Sequence, residues 1–120
     1  MLDAVLPFYF AYPDRPPSRA ALEELRATAS LDLAAITHWE SGGYQQADVR
    51  PLLPEVRCPT LVLAGAEDFI AGPAQARHLV QGIRRATYAV VAGCGHMIPL
   101  EAPDEFRELV LRWHIGLTRP

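Results

Sequence analysis

Two short loops hold the side chains best suited to chemistry. Gly65-Ala-Glu-Asp-Phe-Ile-Ala-Gly72 presents Asp68 beside Glu67, and Gly93-Cys-Gly-His-Met-Ile-Pro99 presents His96 among flexible residues. A carboxylate that accepts a hydrogen bond from one imidazole nitrogen orients the ring and stabilises its protonated form, leaving the other nitrogen to act as a base. Asp68 and His96 are the candidate pair. Each also has a plainer reading. Asp suits a tight turn after a strand, and a glycine-rich turn accommodates a histidine that does nothing further. Glu67 competes with Asp68 for the acid role. Asp68, Cys94 and His96 are also metal-ligand types, but the paired ligand spacing of a zinc site is missing, so neither metal nor cofactor is expected. His38, His78 and His114 fall in predicted helices and read as surface or packing residues.

The pair exists only if the fold brings the two loops together. Thr60-Leu-Val-Leu-Ala64 is a continuous apolar run between Pro59 and Gly65, the pattern of a strand buried on both faces of a parallel sheet. Pro73 opens a helix with Ala76, Leu79, Val80 and Ile83 on one side. Thr87-Tyr-Ala-Val-Val91 repeats the strand pattern, and Pro103 opens a last helix with Phe106, Leu109, Val110 and Trp113 at helical spacing. Strand, helix, strand, helix predicts an α/β unit of two parallel strands, each followed by a helix. Functional residues of such sheets gather beyond the carboxyl ends of the strands, so both loops are expected on one rim.

Ahead of residue 48 there is no strand signal. Ser18 reads as the N-cap of a helix with Leu22, Leu25 and Ala29 on its apolar face, and a second helix is expected from about Leu31 to Glu40, closed by Gly42-Gly43. The chain therefore divides into a helical part, 1–47, and an α/β part, 48–120. The aromatic residues Phe8, Tyr9, Phe10 and Tyr12 read first as packing and second as the lining of an apolar pocket.

Half of the 120 residues are hydrophobic and 21% are charged, which suits a single globular domain. Such a chain is expected to bury roughly two thirds of its unfolded surface. Eleven Lys and Arg against fourteen Asp and Glu give a net charge of -3, without a basic block, so neither nucleic acid nor an anionic membrane is the expected partner. No run approaches the ~18 apolar residues of a membrane span. The opening segment holds Asp3 and Pro7 and lacks a basic region, so it does not read as a signal peptide, and the default compartment is cytoplasmic. Cys58 and Cys94 are placed at opposite ends of neighbouring strands, beyond disulfide reach, and are expected to be free thiols.

Pro-Thr-Leu-Val-Leu-Ala-Gly followed by Ala-Glu-Asp, then Gly-Cys-Gly-His-Met and a Glu-Ala-Pro-Asp-Glu-Phe helix, resembles the C-terminal part of an α/β-hydrolase. The resemblance runs from about Asp48 to Trp113, and its proline iminopeptidase-like and epoxide hydrolase-like branches are the nearest in character. It implies a partial α/β-hydrolase fold, with Asp68 as acid and His96 as base of a catalytic triad and residues 1–47 as part of a helical cap over the site. The acid-then-histidine order agrees with that superfamily. The resemblance also implies a small-molecule substrate and makes Trp39, Glu40, Phe69 and Met97 candidate substrate-binding residues. Glu40 would hold a substrate amine in an aminopeptidase. Phe69 stands where some members of that branch carry a further acid, which tells against that subtype.

A serine hydrolase of this family also requires a nucleophile on a Gly-x-Ser-x-Gly turn and oxyanion donors from an earlier loop, and in epoxide and carbon–halogen hydrolysis an Asp takes the nucleophile's place. Ser18, Ser30 and Ser41 lie in no such motif, and Cys94 is too near His96 to form the turn. A histidine without a nucleophile to deprotonate completes no covalent catalysis. The expectation is a C-terminal piece of a longer ancestral chain, inactive alone, with a non-catalytic binding or assembly module and one half of a split enzyme as alternatives. Two strands leave unpaired edges, so self-association or pairing with a missing N-terminal half is expected.

Overall fold

The computed structural model describes residues 2–30, 32–42 and 47–118, with the side chains of Leu2, Asp3, Leu33, Ile36, Trp39 and Glu40 outside that description. Strands β1 (Thr60–Gly65) and β2 (Ala86–Val91) pair in parallel, from Thr60 beside Ala86 to Gly65 beside Val91. Helix α4 (Pro73–Gly82) makes the crossover, with Pro73 in its first turn, where a missing N–H leaves no bond unmade. Its Ala76 and Val80 pack on Val62, Ala64, Ala86 and Tyr88. The opposite face is covered by α6 (Pro103–Thr118), whose Phe106 and Leu109, like Leu63 of β1, pack against the buried cluster of Val91, Cys94 and Ile98. Helices on both faces give the α/β arrangement that the order of elements predicts.

Burial on both faces of the strands is only partial. Val62, Ala64, Gly65 and Val91 are buried, whereas Leu61, Leu63 and Ala89 are half-buried and Val90 is exposed. The sheet has two strands among the described residues, and one helix per face cannot seal so narrow a layer.

The first part of the chain forms α1 (Leu2–Val5), a 3-10 turn (Leu6–Tyr9), α2 (Ser18–Thr28) and α3 (Leu33–Ser41). Two helix starts differ from expectation. Ser18 is the first helical residue of α2 and is buried; Pro17 occupies the N-cap with no side-chain cap. Proline's fixed φ already favours the helical entry. The next helix begins at Leu33 because Asp32 caps it, its Oδ1 accepting the N–H groups of Ala34 at 2.9 Å and Ala35 at 3.1 Å. Gly42 closes α3 as the sequence suggests. Leu6, Phe10 and Leu22 form a buried cluster against which Tyr9, Leu25, Met97 and Leu100 pack, tying α2 and the 3-10 turn to the segment after β2. Besides α1 and the turn at Leu6–Tyr9, two short pieces in the second part of the chain escaped the sequence reading. A 3-10 turn at Arg50–Glu55 buries Leu53 ahead of β1, and the single-turn α5 (Ile98–Glu101) precedes α6.

Candidate functional site

Both loops leave the sheet on the same rim. Ala66 donates its N–H to the Val91 carbonyl at 2.9 Å, and Glu67 donates to the Cys94 carbonyl at 2.9 Å, so backbone bonds stitch the acid loop to the histidine loop. The approach is close enough to demand glycine at the end of β1. A Cβ on Gly65 would lie 2.1 Å from the Gly95 oxygen and 2.4 Å from the Cys94 oxygen, both main-chain atoms.

Asp68 Oδ1 accepts the N–H groups of Ile70 at 2.8 Å and Ala71 at 3.1 Å, closing the turn that enters α4. Its Oδ2 lies 3.0 Å from His96 Nδ1. The turn role and the imidazole-orienting geometry are thus both present, one on each oxygen. An ionised carboxylate only accepts, so it holds the imidazole proton on Nδ1 and leaves the Nε2 lone pair available. Burial pushes the Asp68 carboxyl upward in pKa. Hydrogen bonds from Ala71, His96 and Ile70, together with attraction to the imidazole, outweigh that and hold it below the usual carboxylate value. The carboxylate is enclosed and the imidazole is open: the Asp68 side chain is 6% exposed and that of His96 36%. A reactant could reach the imidazole without disturbing its partner.

Residues distant in sequence fix the histidine. The His96 N–H donates to the Tyr9 carbonyl at 2.8 Å, and the Met97 N–H does so at 3.3 Å. The Tyr9 ring meets the imidazole edge-on, centroids 5.4 Å apart at 72°. Glu101, a buried charged side chain, accepts the Gly95 N–H on Oε1 and the Ala11 N–H on Oε2, each at 2.8 Å. Sequence reasoning passed over Glu101 although it heads the Glu-Ala-Pro-Asp-Glu-Phe segment. The available signal was an acidic residue set between apolar neighbours, Leu100 and Ala102.

The other candidates scatter. Phe69 is exposed beside Asp68 and meets Phe8 edge-on at 6.4 Å. Both line an open cleft of ≈ 450 Å³ together with Pro7, Phe10, Ala11, Pro13 and Glu67. Met97 is half-buried against the Leu6, Phe10 and Leu22 cluster. Trp39 and Glu40 belong to α3, and their side chains lie outside the described residues. The aromatic group divides: Phe10 is core, Phe8 lines the cleft, Tyr9 touches His96, and the Tyr12 ring lies 4.5 Å under the Arg15 guanidinium.

Cys58 and Cys94 are both free thiols, the first exposed and the second buried. Burial, then the charges of Glu101 and Glu105, push the Cys94 thiol up to about 11, so it is no thiolate near neutrality and no ready nucleophile. Ser18 is buried at the start of α2, and the Ser41 hydroxyl donates to the His38 carbonyl at 3.2 Å. Among the described residues no three His, Cys, Asp or Glu side chains converge as a metal site, and no helix is long and apolar enough to cross a membrane.

A family model described as the alpha/beta hydrolase family matches residues 2–109. The chain is 37% identical over 110 residues to polyketide synthase ThaQ of Burkholderia thailandensis, a match covering 88% of this chain and 5% of that protein. It is 35% identical over 65 residues to 3-oxoadipate enol-lactonase 2 of Acinetobacter baylyi, covering 54% of this chain and 24% of that one. The structure of the enol-lactonase from Burkholderia xenovorans LB400 superposes with a TM-score of 0.71 and 32% identity, covering 94% of this chain and 43% of the other. The chain therefore spans about a quarter or less of these two curated relatives and under half of that structure.

Proposed function

The chain belongs to the alpha/beta hydrolase family, and from that premise we propose that Asp68 and His96 are the acid and base of a hydrolytic triad whose nucleophile is not among these 120 residues. The observation that carries this reading is the 3.0 Å contact between Asp68 Oδ2 and His96 Nδ1. With Nδ1 engaged, Nε2 removes the proton from an approaching hydroxyl as that oxygen attacks the substrate carbonyl. Asp68 stabilises the imidazolium so formed. The same nitrogen then returns the proton to the leaving group, and in the second half-reaction it activates the water that releases the acyl group.

Ester-type bonds, lactones included, are the favoured substrate class, since two of the similar proteins are named enol-lactonases. Residues 1–47 serve as part of a cap over the site, and the cleft between Phe8 and Phe69 offers an apolar surface beside it. In this reading the 120 residues alone turn over no ester.

The test is complementation. The chain is co-expressed with an α/β-hydrolase N-terminal half that carries a Gly-x-Ser-x-Gly turn and is assayed with short p-nitrophenyl esters. Hydrolysis is expected from the pair and from neither half alone, with His96→Ala lowering the rate by about 10²–10⁴-fold. Hydrolysis that survives His96→Ala undiminished sinks the assignment.

A further inference from the structure

We propose that Glu101 is a positioning residue for His96, clamping the two backbone segments between which the imidazole is held. The inference rests on the reading of Asp68 and His96 given above and adds a residue to it. Carboxylates are rarely buried without a partner, and the two partners of Glu101 are informative. One is the N–H of Gly95, immediately before His96; the other is the N–H of Ala11, ninety positions away in sequence. The Ala11 segment is the one that holds the histidine from its other side. Tyr9 accepts the His96 N–H through its carbonyl and sets its ring against the imidazole.

Gly95 lets these segments touch. A Cβ there would stand 2.7 Å from Ala11 N and 2.9 Å from the Tyr9 oxygen. Main chain therefore meets main chain at Gly95, and the Glu101 side chain bonds both sides of the seam. A bidentate carboxylate fixes the spacing of the two segments. Since Asp68 is independently held by the Ile70 and Ala71 amides, the Nδ1–Oδ2 distance follows from where the seam places His96. Glu101 bonds main-chain amides on both sides of the histidine and so acts on the imidazole through main chain.

The experiment compares the chain with Glu101→Gln, which keeps one acceptor oxygen and turns an NH₂ toward the other amide, and with Glu101→Ala, which removes both acceptors. Nitrogen NMR of His96 at pH 8 reports which ring nitrogen carries the proton. Wild type is expected to hold it on Nδ1. Both variants are expected to move most of the population to Nε2–H, with the Gly95 and Ala11 amides exchanging at least about tenfold faster.

A wild-type His96 already protonated on Nε2 overturns the Asp68 pairing itself, and this inference with it. An Nδ1–H signature in wild type that persists in Glu101→Gln overturns the clamp alone, as do unchanged amide exchange rates. Loss of the folded state in both variants also overturns it, since Glu101 would then be holding the fold at large rather than the histidine.

Discussion

Exchanging Asp68 for Asn leaves an oxygen for the Ile70 and Ala71 amides but turns an NH₂ toward His96 Nδ1. Two donors then face each other unless the imidazole shifts its proton to Nε2, where it can no longer accept one from a nucleophile. In the complemented enzyme, Asp68→Asn is expected to lower kcat by about 10⁴-fold while the circular dichroism of the chain is retained; a kcat within tenfold of wild type argues against the role. The same carboxyl couples stability to pH. Its folded pKa lies below the unfolded value of about 3.9, so its stabilisation is complete above that value and is lost as pH falls through the folded pKa. Urea midpoints measured between pH 5 and pH 2 are expected to fall more steeply for wild type than for Asp68→Asn. Cys94, buried with its pKa near 11, is expected to resist iodoacetamide at pH 8 while exposed Cys58 is alkylated; mass spectrometry of the labelled peptides decides it. At this scale the sequence was readable where a side chain does its work on another side chain. Asp68 and His96 stand in glycine-bounded loops after apolar runs. Glu101 binds main-chain amides, which any residue supplies, so no partner letter marks it.

The elements that meet at the seam bring main chain directly against main chain at Gly95, and this gives an expectation at their own scale. Gly95→Ala would press a methyl group into the main chain of Tyr9, Phe10 and Ala11, atoms that cannot rotate away. A loss of about 1–3 kcal/mol in chemical denaturation is expected, with the 3-10 turn at Leu6–Tyr9 released first in hydrogen exchange; an unchanged midpoint would show that the segments can part at little cost. Long elements were legible because apolar spacing marks them. β1, α4, β2 and α6 match their expected spans closely. Single turns have too few residues for a period, so Arg50–Glu55 and Ile98–Glu101 left no pattern to read. The shifted starts of α2 and α3 have local causes: a proline already near helical geometry, and an Asp32 cap, a residue type suited to that position that the apolar spacing alone placed inside the helix.

Across the whole molecule the surface is larger than its mass warrants. A folded monomer of 13.2 kDa exposes roughly 6,400 Å², and this chain exposes 8651 Å². The burial is nearer half of the unfolded surface than the expected two thirds. Its radius of gyration, 16.5 Å, exceeds the roughly 13.6 Å of a compact domain of this length. Buried residues form small separate clusters, and Leu111, Ile115 and Leu117 of α6 lie exposed. Alone in solution the chain is expected to self-associate, eluting with light scattering above its 13.2 kDa, and to become soluble as a 1:1 pair with a complementing hydrolase half. A sharp monomeric peak with cooperative unfolding would count against both. Asp68 and His96, finally, stand only 28 positions apart, on loops flanking a single helix–strand segment, α4 and β2. In the proposed reading, proton relay and carbonyl-attacking group are thereby separable modules. On that same reading, a recombination joint placed ahead of the Leu6–Tyr9 turn exchanges the nucleophile while His96 travels with Asp68, Glu101 and the Tyr9–Ala11 segment that hold it, so chimeras built at that joint inherit a ready-made base.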